Sequence, residues 1–250
     1  MNTKDMNNAS GLFVLITGEP GTGKSIAAHS FPQPSFTFDF DQKMKAVSNY
    51  YSGIDFEYDN YENVFDVRTK LSQFKQSCEF KTIVWDGWST FARLALKSMM
   101  DTRNPNSKKI IRGNIEKYQI EDYGGESRAI ELCLDDLKAI NIKHNVHVVT
   151  VCHIIRVVTH NIIKNTDTTY QGLHIPGGKI AFDVPIPYDE VWNMSKEQSL
   201  ETGDLDYIIT TSGSSEVGIT KTAMKLPSRF IWSRNSSLYE TILLKHNSYI

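Results

Sequence analysis

Eight consecutive residues, Gly18-Glu19-Pro20-Gly21-Thr22-Gly23-Lys24-Ser25, satisfy the spacing G-x-x-x-x-G-K-[ST]. Glycines at these positions let a backbone fold so that its N–H groups converge on phosphate oxygens, and the N-terminus of a following helix adds partial positive charge. In such a loop Lys24 reaches the β- and γ-phosphates of a triphosphate, the Ser25 hydroxyl coordinates Mg2+, and the cradle extends to Ile26. A glycine-rich turn that binds nothing is the competing reading. It is disfavoured because the motif follows the apolar run LFVLIT and opens a helical segment.

A magnesium ion held there needs a second carboxylate. Asp86 ends the apolar run TIVWD, and in an open α/β sheet a strand-terminal Asp lies at the same carboxyl edge as the phosphate loop. The alternative is an Asp that caps the helix starting near Ser89. Hydrolysis also requires a group that orients the attacking water. Asp41, just past the run FTFDF, has the charge but a shorter reach than Glu; Glu19, inside the loop and expected to point outward, is the other candidate. His153 follows VHVVTVC, so it either senses the γ-phosphate from that edge or packs at a strand end.

The elements that must position these groups alternate. Leu12 to Thr17 reads as a buried strand, and Lys24 to Ser30 as a short helix that Pro32 and Pro34 prevent from continuing. Phe36 to Phe40 is a second strand, and Val64, Val67, Leu71 and Phe74 form one helical stripe. Lys81 to Asp86 is a third strand, with Ser89 capping the helix that runs toward Met100. Residues 101–109 read as a loop. After Gly124-Gly125 a helix carries Ile130, Leu134, Leu137 and Ile140 on one face and leads into the strand Val146 to Cys152. Glu190 to Met194 and Tyr207 to Thr211 flank the turn-like Glu201-Thr202-Gly203 and read as an antiparallel extension. The fold class is therefore α/β, a mainly parallel sheet flanked by helices with an antiparallel C-terminal extension. Residues 1–10 are expected as a flexible tail, 11–234 as one domain, and 235–250 as a tail or short extension.

Composition narrows the function classes. A net charge of −2 and a pI near 6.4 exclude a uniformly basic, histone-like protein while leaving room for local basic grooves. Cys78, Cys133 and Cys152 form no CxxC pair, so neither a disulfide framework nor a zinc knuckle is expected and the reducing cytoplasm is the expected compartment. No apolar run approaches the roughly 18–20 residues that span a bilayer, and the polar start MNTKDMNNAS lacks the apolar core of a signal peptide, so no membrane partner is expected.

The order of the motifs resembles that of the phage RecA-like P-loop ATPases, the core-only group associated with single-strand annealing and recombination. GEPGTGKS, FDFDQ, TIVWDGWS, EDYGG, VVTVCH and IPGGKIAFDVPIPYDEVWNM carry the resemblance, spread from residue 12 to about residue 230. It implies ATP at Gly18 to Ser25, Mg2+ at Ser25 and Asp86, a γ-phosphate sensor at His153, and catalysis through Lys24, Asp41, Asp86 and His153. Asp41 and Gln42 stand where relatives carry Glu and Gly, which implies slow hydrolysis or a switch that responds to binding more than to turnover.

The resemblance further implies a homo-oligomer, ring or filament, in which a neighbouring subunit inserts a cation. Lys221, Lys225 and Arg229 are the candidates, with ordinary solvated cations as the other reading. It implies single-stranded DNA as partner, contacted by Lys108, Lys109 and Arg112 and by Arg156, Lys164 and Lys179, where cations interleave with Tyr170. Solvated loops account for the same residues equally well. A single-strand-binding protein is a further implied partner, in the host cytoplasm. The expected function is coupling of Mg-ATP binding and hydrolysis to single-stranded DNA binding or annealing. The alternative is a nucleotide-gated assembly module with little catalysis. A small-molecule kinase is disfavoured, because residues 156–179 hold one Arg where a kinase lid needs several.

Overall fold

A computed structural model describes residues 11–51, 56–102, 111–112, 115–116, 118–161, 166–176, 179–199, 203–213 and 219–248; of 111–116 and 156–170 only the backbone is described. In chain order the elements are β1 (Phe13–Gly18), α1 (Lys24–His29), β2 (Ser35–Asp39), α2 (Met44–Tyr50), β3 (Phe56–Asp59), α3 (Val64–Gln76), β4 (Thr82–Asp86) and α4 (Trp88–Asp101). There follow β5 (Ile111–Arg112), β6 (Ile115–Glu116), α5 (Ile120–His144), β7 (His147–Asn161), β8 (Thr166–Leu173) and α6 (Ile180–Asp183). The chain closes with β9 (Glu190–Gln198), β10 (Leu205–Thr210), β11 (Arg229–Trp232) and α7 (Leu238–Asn247).

Every residue of β1, β2 and β4 is buried, as expected of parallel strands covered by helices on both faces. Alternation along β1 divides the core in two. Phe13 and Leu15 join one apolar cluster with α3, α4 and α5, while Val14 and Ile16 join the other with Ala27, Ala28, Trp232 and Leu238. The main sheet runs β11-β10-β9-β1-β7-β4-β2-β3, and β8 pairs with the outer part of β7. The pairs from β3 across to β9 are parallel; β10 and β11 are antiparallel. With β7 inserted between the phosphate-loop strand and the Asp86 strand, this is the RecA-like P-loop fold with antiparallel strands near the C-terminus.

The expected antiparallel extension is present in the pairing of β10 with β9, while β9 itself joins β1 in parallel. Three expectations are corrected. Helix α5 starts at Ile120, where Gln119 and Asp122 form a capping box, and it runs straight through Gly124-Gly125. The Gly125 position is packed against Met99 of α4: a Cβ there would fall 2.7 Å from the Met99 side chain. Strand β7 continues beyond Cys152 to Asn161, because β8 folds back on it as a hairpin. Finally, the N-cap of α4 is Gly87, with no side-chain capping bond, so Ser89 is not a cap. At the chain's end, α7 buries Leu238 and Ile242 in the second cluster. Among the described residues no helix is long and apolar enough to cross a membrane.

Candidate functional site

Strand register brings the candidate residues to one edge. Gly18 ends β1 opposite His153 of β7 on one side and Met194 of β9 on the other. Asp86 ends β4 opposite Val151 of β7 and Asp39 of β2. Gly18 has φ +151, and a Cβ there would lie 2.3 Å from the Met194 carbonyl oxygen, so no side chain fits where the loop leaves the sheet.

Lys24, at the start of α1, is 4% exposed. Its Nζ donates to the carbonyls of Gly18 (3.0 Å) and Glu19 (2.8 Å), with Thr22 Oγ1 at 3.5 Å. Burial lowers its pKa to about 8, against the pull of Asp86 in the other direction. Beneath the loop, His29 bridges the Ser25 carbonyl (2.7 Å) and Thr37 Oγ1 (2.9 Å). Burial brings its pKa down to about 4, so it stays neutral and fixes the first turn of α1 against β2.

Asp86 is fully buried, and among the described residues neither carboxylate oxygen has a hydrogen bond of normal geometry. Burial raises its pKa to about 6, and the nearby Ser25 hydroxyl pulls in the other direction. The competing reading of Asp86 as a helix cap has no bond to support it. A buried, unpartnered carboxylate next to Ser25 and Lys24 is the environment a Mg2+-bound triphosphate fits, since Mg2+ takes few protein ligands and completes its shell with water and phosphate oxygens. No cluster of three or more His, Cys, Asp or Glu among the described residues offers another metal site.

The two acids after β2 divide the work. Asp39 accepts from the backbone N–H of Lys43 (3.0 Å) and Met44 (3.2 Å), which pins the start of α2. Asp41 instead faces across to α4 and β7: Oδ2 lies 2.6 Å from Lys43 Nζ and 3.6 Å from His153 Nε2, and Oδ1 accepts from the Thr90 hydroxyl. Burial would raise its pKa, but His153, Lys43 and Thr90 more than reverse this and hold the carboxyl well below the usual range. Glu19 is exposed on the loop, with its carbonyl serving Lys24 and Thr22. A cavity of about 420 Å³ opens beside Asp41, lined among others by Lys43, Thr90, Arg93, His153 and His174.

His153 is held by its backbone: its N–H donates to Ser89 Oγ (3.3 Å), and its carbonyl accepts from His174 N–H (2.8 Å). Its Nδ1 is buried without a partner among the described residues. Ser89, expected as a cap, thus ties α4 to β7, with Cys152 Sγ at 3.6 Å.

The remaining candidates lie elsewhere. Lys221 spends its ammonium on the carbonyls of Ile186 (3.2 Å) and Tyr188 (2.5 Å), Arg229 pairs with Glu197, and Lys225 is exposed. Lys179 is exposed at the start of α6. Lys108, Lys109 and Lys164 lie outside the described residues, and the side chains of Arg112 and Arg156, on β5 and β7, are likewise outside the description. Lys43, Thr90, Arg93 and Lys196 escape sequence reasoning. Lys196 Nζ comes within 3.6 Å of where a Cβ on Gly21 would sit. Thr90 and Arg93 form a polar pair at i and i+3 directly after the Asp86 strand, a pattern too common to single them out.

The sequence profile of the AAA_24 family, described as an AAA domain, matches residues 10–217. A search of curated protein sequences returns no match. Among solved structures, a KaiC-like protein from the hyperthermophilic archaeon Pyrococcus horikoshii OT3 is similar at 14% identity, covering 91% of this chain and 88% of that chain with a TM-score of 0.47. The flagellar accessory protein FlaH from Methanocaldococcus jannaschii is similar at 10% identity, covering 90% of this chain and 85% of that chain with a TM-score of 0.41.

Proposed function

The chain belongs to the AAA_24 family of AAA domains, and from that premise we propose that it binds Mg-ATP and hydrolyses it slowly, coupling the cycle to single-stranded DNA in a phage-type recombination or replication system. The observation that carries the proposal is the meeting of the phosphate loop, Asp86, Asp41 and His153 at one sheet edge, where Pro20 of the loop, Asp41 and His153 line a cavity of about 420 Å³.

When bound, magnesium neutralises charge on the phosphate oxygens. Ser25 and Asp86 would hold it. The Lys24 ammonium exchanges two loop carbonyls for β- and γ-oxygens. Asp41, kept ionised by its neighbours, orients the attacking water, and His153 senses the γ-phosphate across the same cavity. The β7–β8 hairpin continues directly from His153, and the His174–His153 backbone bond joins its two strands beside the cavity. DNA contact through Arg156, Lys164 and Lys179 is part of the proposal and rests on the sequence resemblance. A homo-oligomer would present Lys225, which is exposed, to a neighbour's site.

The test is ATP turnover with and without single-stranded DNA across a range of salt, beside Asp41→Ala. DNA stimulation that weakens with salt, and loss of turnover in Asp41→Ala with nucleotide binding intact, is the expected result. Turnover indifferent to DNA at every salt concentration would sink the DNA coupling. A second reading, a nucleotide-gated assembly with little catalysis, is favoured by one observation: Asp41 is engaged by Lys43, Thr90 and His153 at once. Assembly driven by ATP in the absence of turnover would select that reading, and a monomer in every nucleotide state would remove it.

A further inference from the structure

Asp41 stands past the end of β2, in a segment where the next residue, Gln42, has φ +55. The backbone there is anchored by Phe40 N–H to the Asp86 carbonyl (3.2 Å) and by the bonds Asp39 receives. Neither of these fixes the Asp41 carboxylate. Its two oxygens are held from different sides: Oδ2 by the Lys43 ammonium and the His153 imidazole, and Oδ1 by the first turn of α4. That turn begins at Gly87, which brings no side chain against the acid. At its φ of +114, a Cβ on Gly87 would lie 2.9 Å from Asp41 Oδ1. The same turn follows Asp86 directly, and the bond from Thr90 N–H to the Gly87 carbonyl (3.1 Å) makes it rigid.

We propose that Thr90, seated above the bare Cα of Gly87, is a positioning residue that brings the short Asp41 carboxylate to the reacting edge and locks it in register with Asp86. The proposal rests on the reading of Asp41 as the water-orienting group. An Asp lacks one methylene of reach relative to a Glu. Here the turn at the start of α4 carries no side chain at Gly87 and supplies the Thr90 hydroxyl as the anchor. The bond is one between a neutral donor and a charged acceptor, the kind whose loss is felt as a factor of about 10 to 100.

The experiment measures kcat, KM and the affinity for a fluorescent ATP analogue in Thr90→Val, Thr90→Ser, Asp41→Ala and the Thr90→Val/Asp41→Ala double variant. Thr90→Val keeps the shape and removes the hydroxyl. It should lower kcat by about 10- to 100-fold with KM and analogue affinity nearly unchanged, Thr90→Ser should restore kcat, and the double variant should be no slower than Asp41→Ala alone. Thr90→Ala replaces Thr90→Val if the latter does not give a cooperative melting transition. If Asp41→Ala abolishes turnover and removal of the Thr90 hydroxyl leaves kcat intact, the positioning role is wrong and the reading of Asp41 survives. If Asp41→Ala turns over normally, both fall.

Discussion

The Oδ2 of Asp41 lies 3.6 Å from the Nε2 of His153, so the acid that follows β2 and the imidazole on β7 meet across the end of the intervening strand β4. Each of the two is fixed by further contacts, Asp41 by Lys43 and Thr90 and His153 by Ser89 and His174. The pair therefore forms a bridge between helix α4 and the β7–β8 hairpin.

From that contact, His153→Ala should lower ATP turnover by about 10- to 100-fold while the affinity for nucleotide changes little, because the loop and Lys24 are untouched. Steady-state turnover beside a nucleotide titration checks this. Full turnover in the variant would reduce the Asp41–His153 contact to packing.

Lys24 gives a pH signature. Burial sets its pKa at about 8, below the value near 10.5 of the unfolded chain, so between pH 8 and 10.5 the unfolded state binds more protons. Folding stability without nucleotide should therefore rise with pH across that window. Nucleotide affinity should move the other way and fall as pH rises through 8, since only the ammonium attracts phosphate. Titrations from pH 7 to 9.5, set against melting curves, measure both slopes; parallel slopes would contradict the assignment.

Asp86 gives the opposite window. Its folded pKa of about 6 lies above the unfolded value near 3.8, so stability is fully present below pH 4 and is lost as pH rises through 6. Asp86→Asn removes the buried charge and should raise the melting temperature of the metal-free protein at pH 7 by the equivalent of about 1–3 kcal/mol. The same change should abolish Mg2+-dependent stabilisation by ATP. A variant that melts lower than the parent at pH 7 without metal would show that Asp86 is already paired.

Strands β1 and β4 and the loop at residues 18–25 are legible in the sequence because a buried parallel strand is a continuous apolar run and the loop has fixed spacing. Helix α5 is misread at its start because Gly124-Gly125 looks like punctuation, whereas Gly125 makes room for Met99. The parallel pairing of β9 is hidden because its last residues turn polar where β1 has ended and β10 alone pairs with them. Thr90 and Lys43 are ordinary helix-surface and loop residues in sequence. Their significance comes from the approach of α4 to the segment after β2, a tertiary fact that no local pattern encodes.

Tyr188 offers a test of what supports the Asp86 turn from below. Its ring stacks on Phe13 at 4.4 Å, and its hydroxyl accepts from Trp88 Nε1 (2.9 Å) and from Thr150 Oγ1 (2.8 Å). Trp88 is the first residue of α4, the helix that carries Thr90. All three side chains are fully buried. Tyr188→Phe keeps the stacking and strands the indole N–H of Trp88 without an acceptor, a loss of about 1–3 kcal/mol. In a chain of this size that corresponds to a fall in melting temperature of roughly 2–10 °C. A small drop in turnover should accompany it if the start of α4 shifts, with nucleotide affinity unchanged. Thermal melts and turnover of Tyr188→Phe check both; an unchanged melting temperature would mean that water or a rearranged Thr150 takes over the acceptor role.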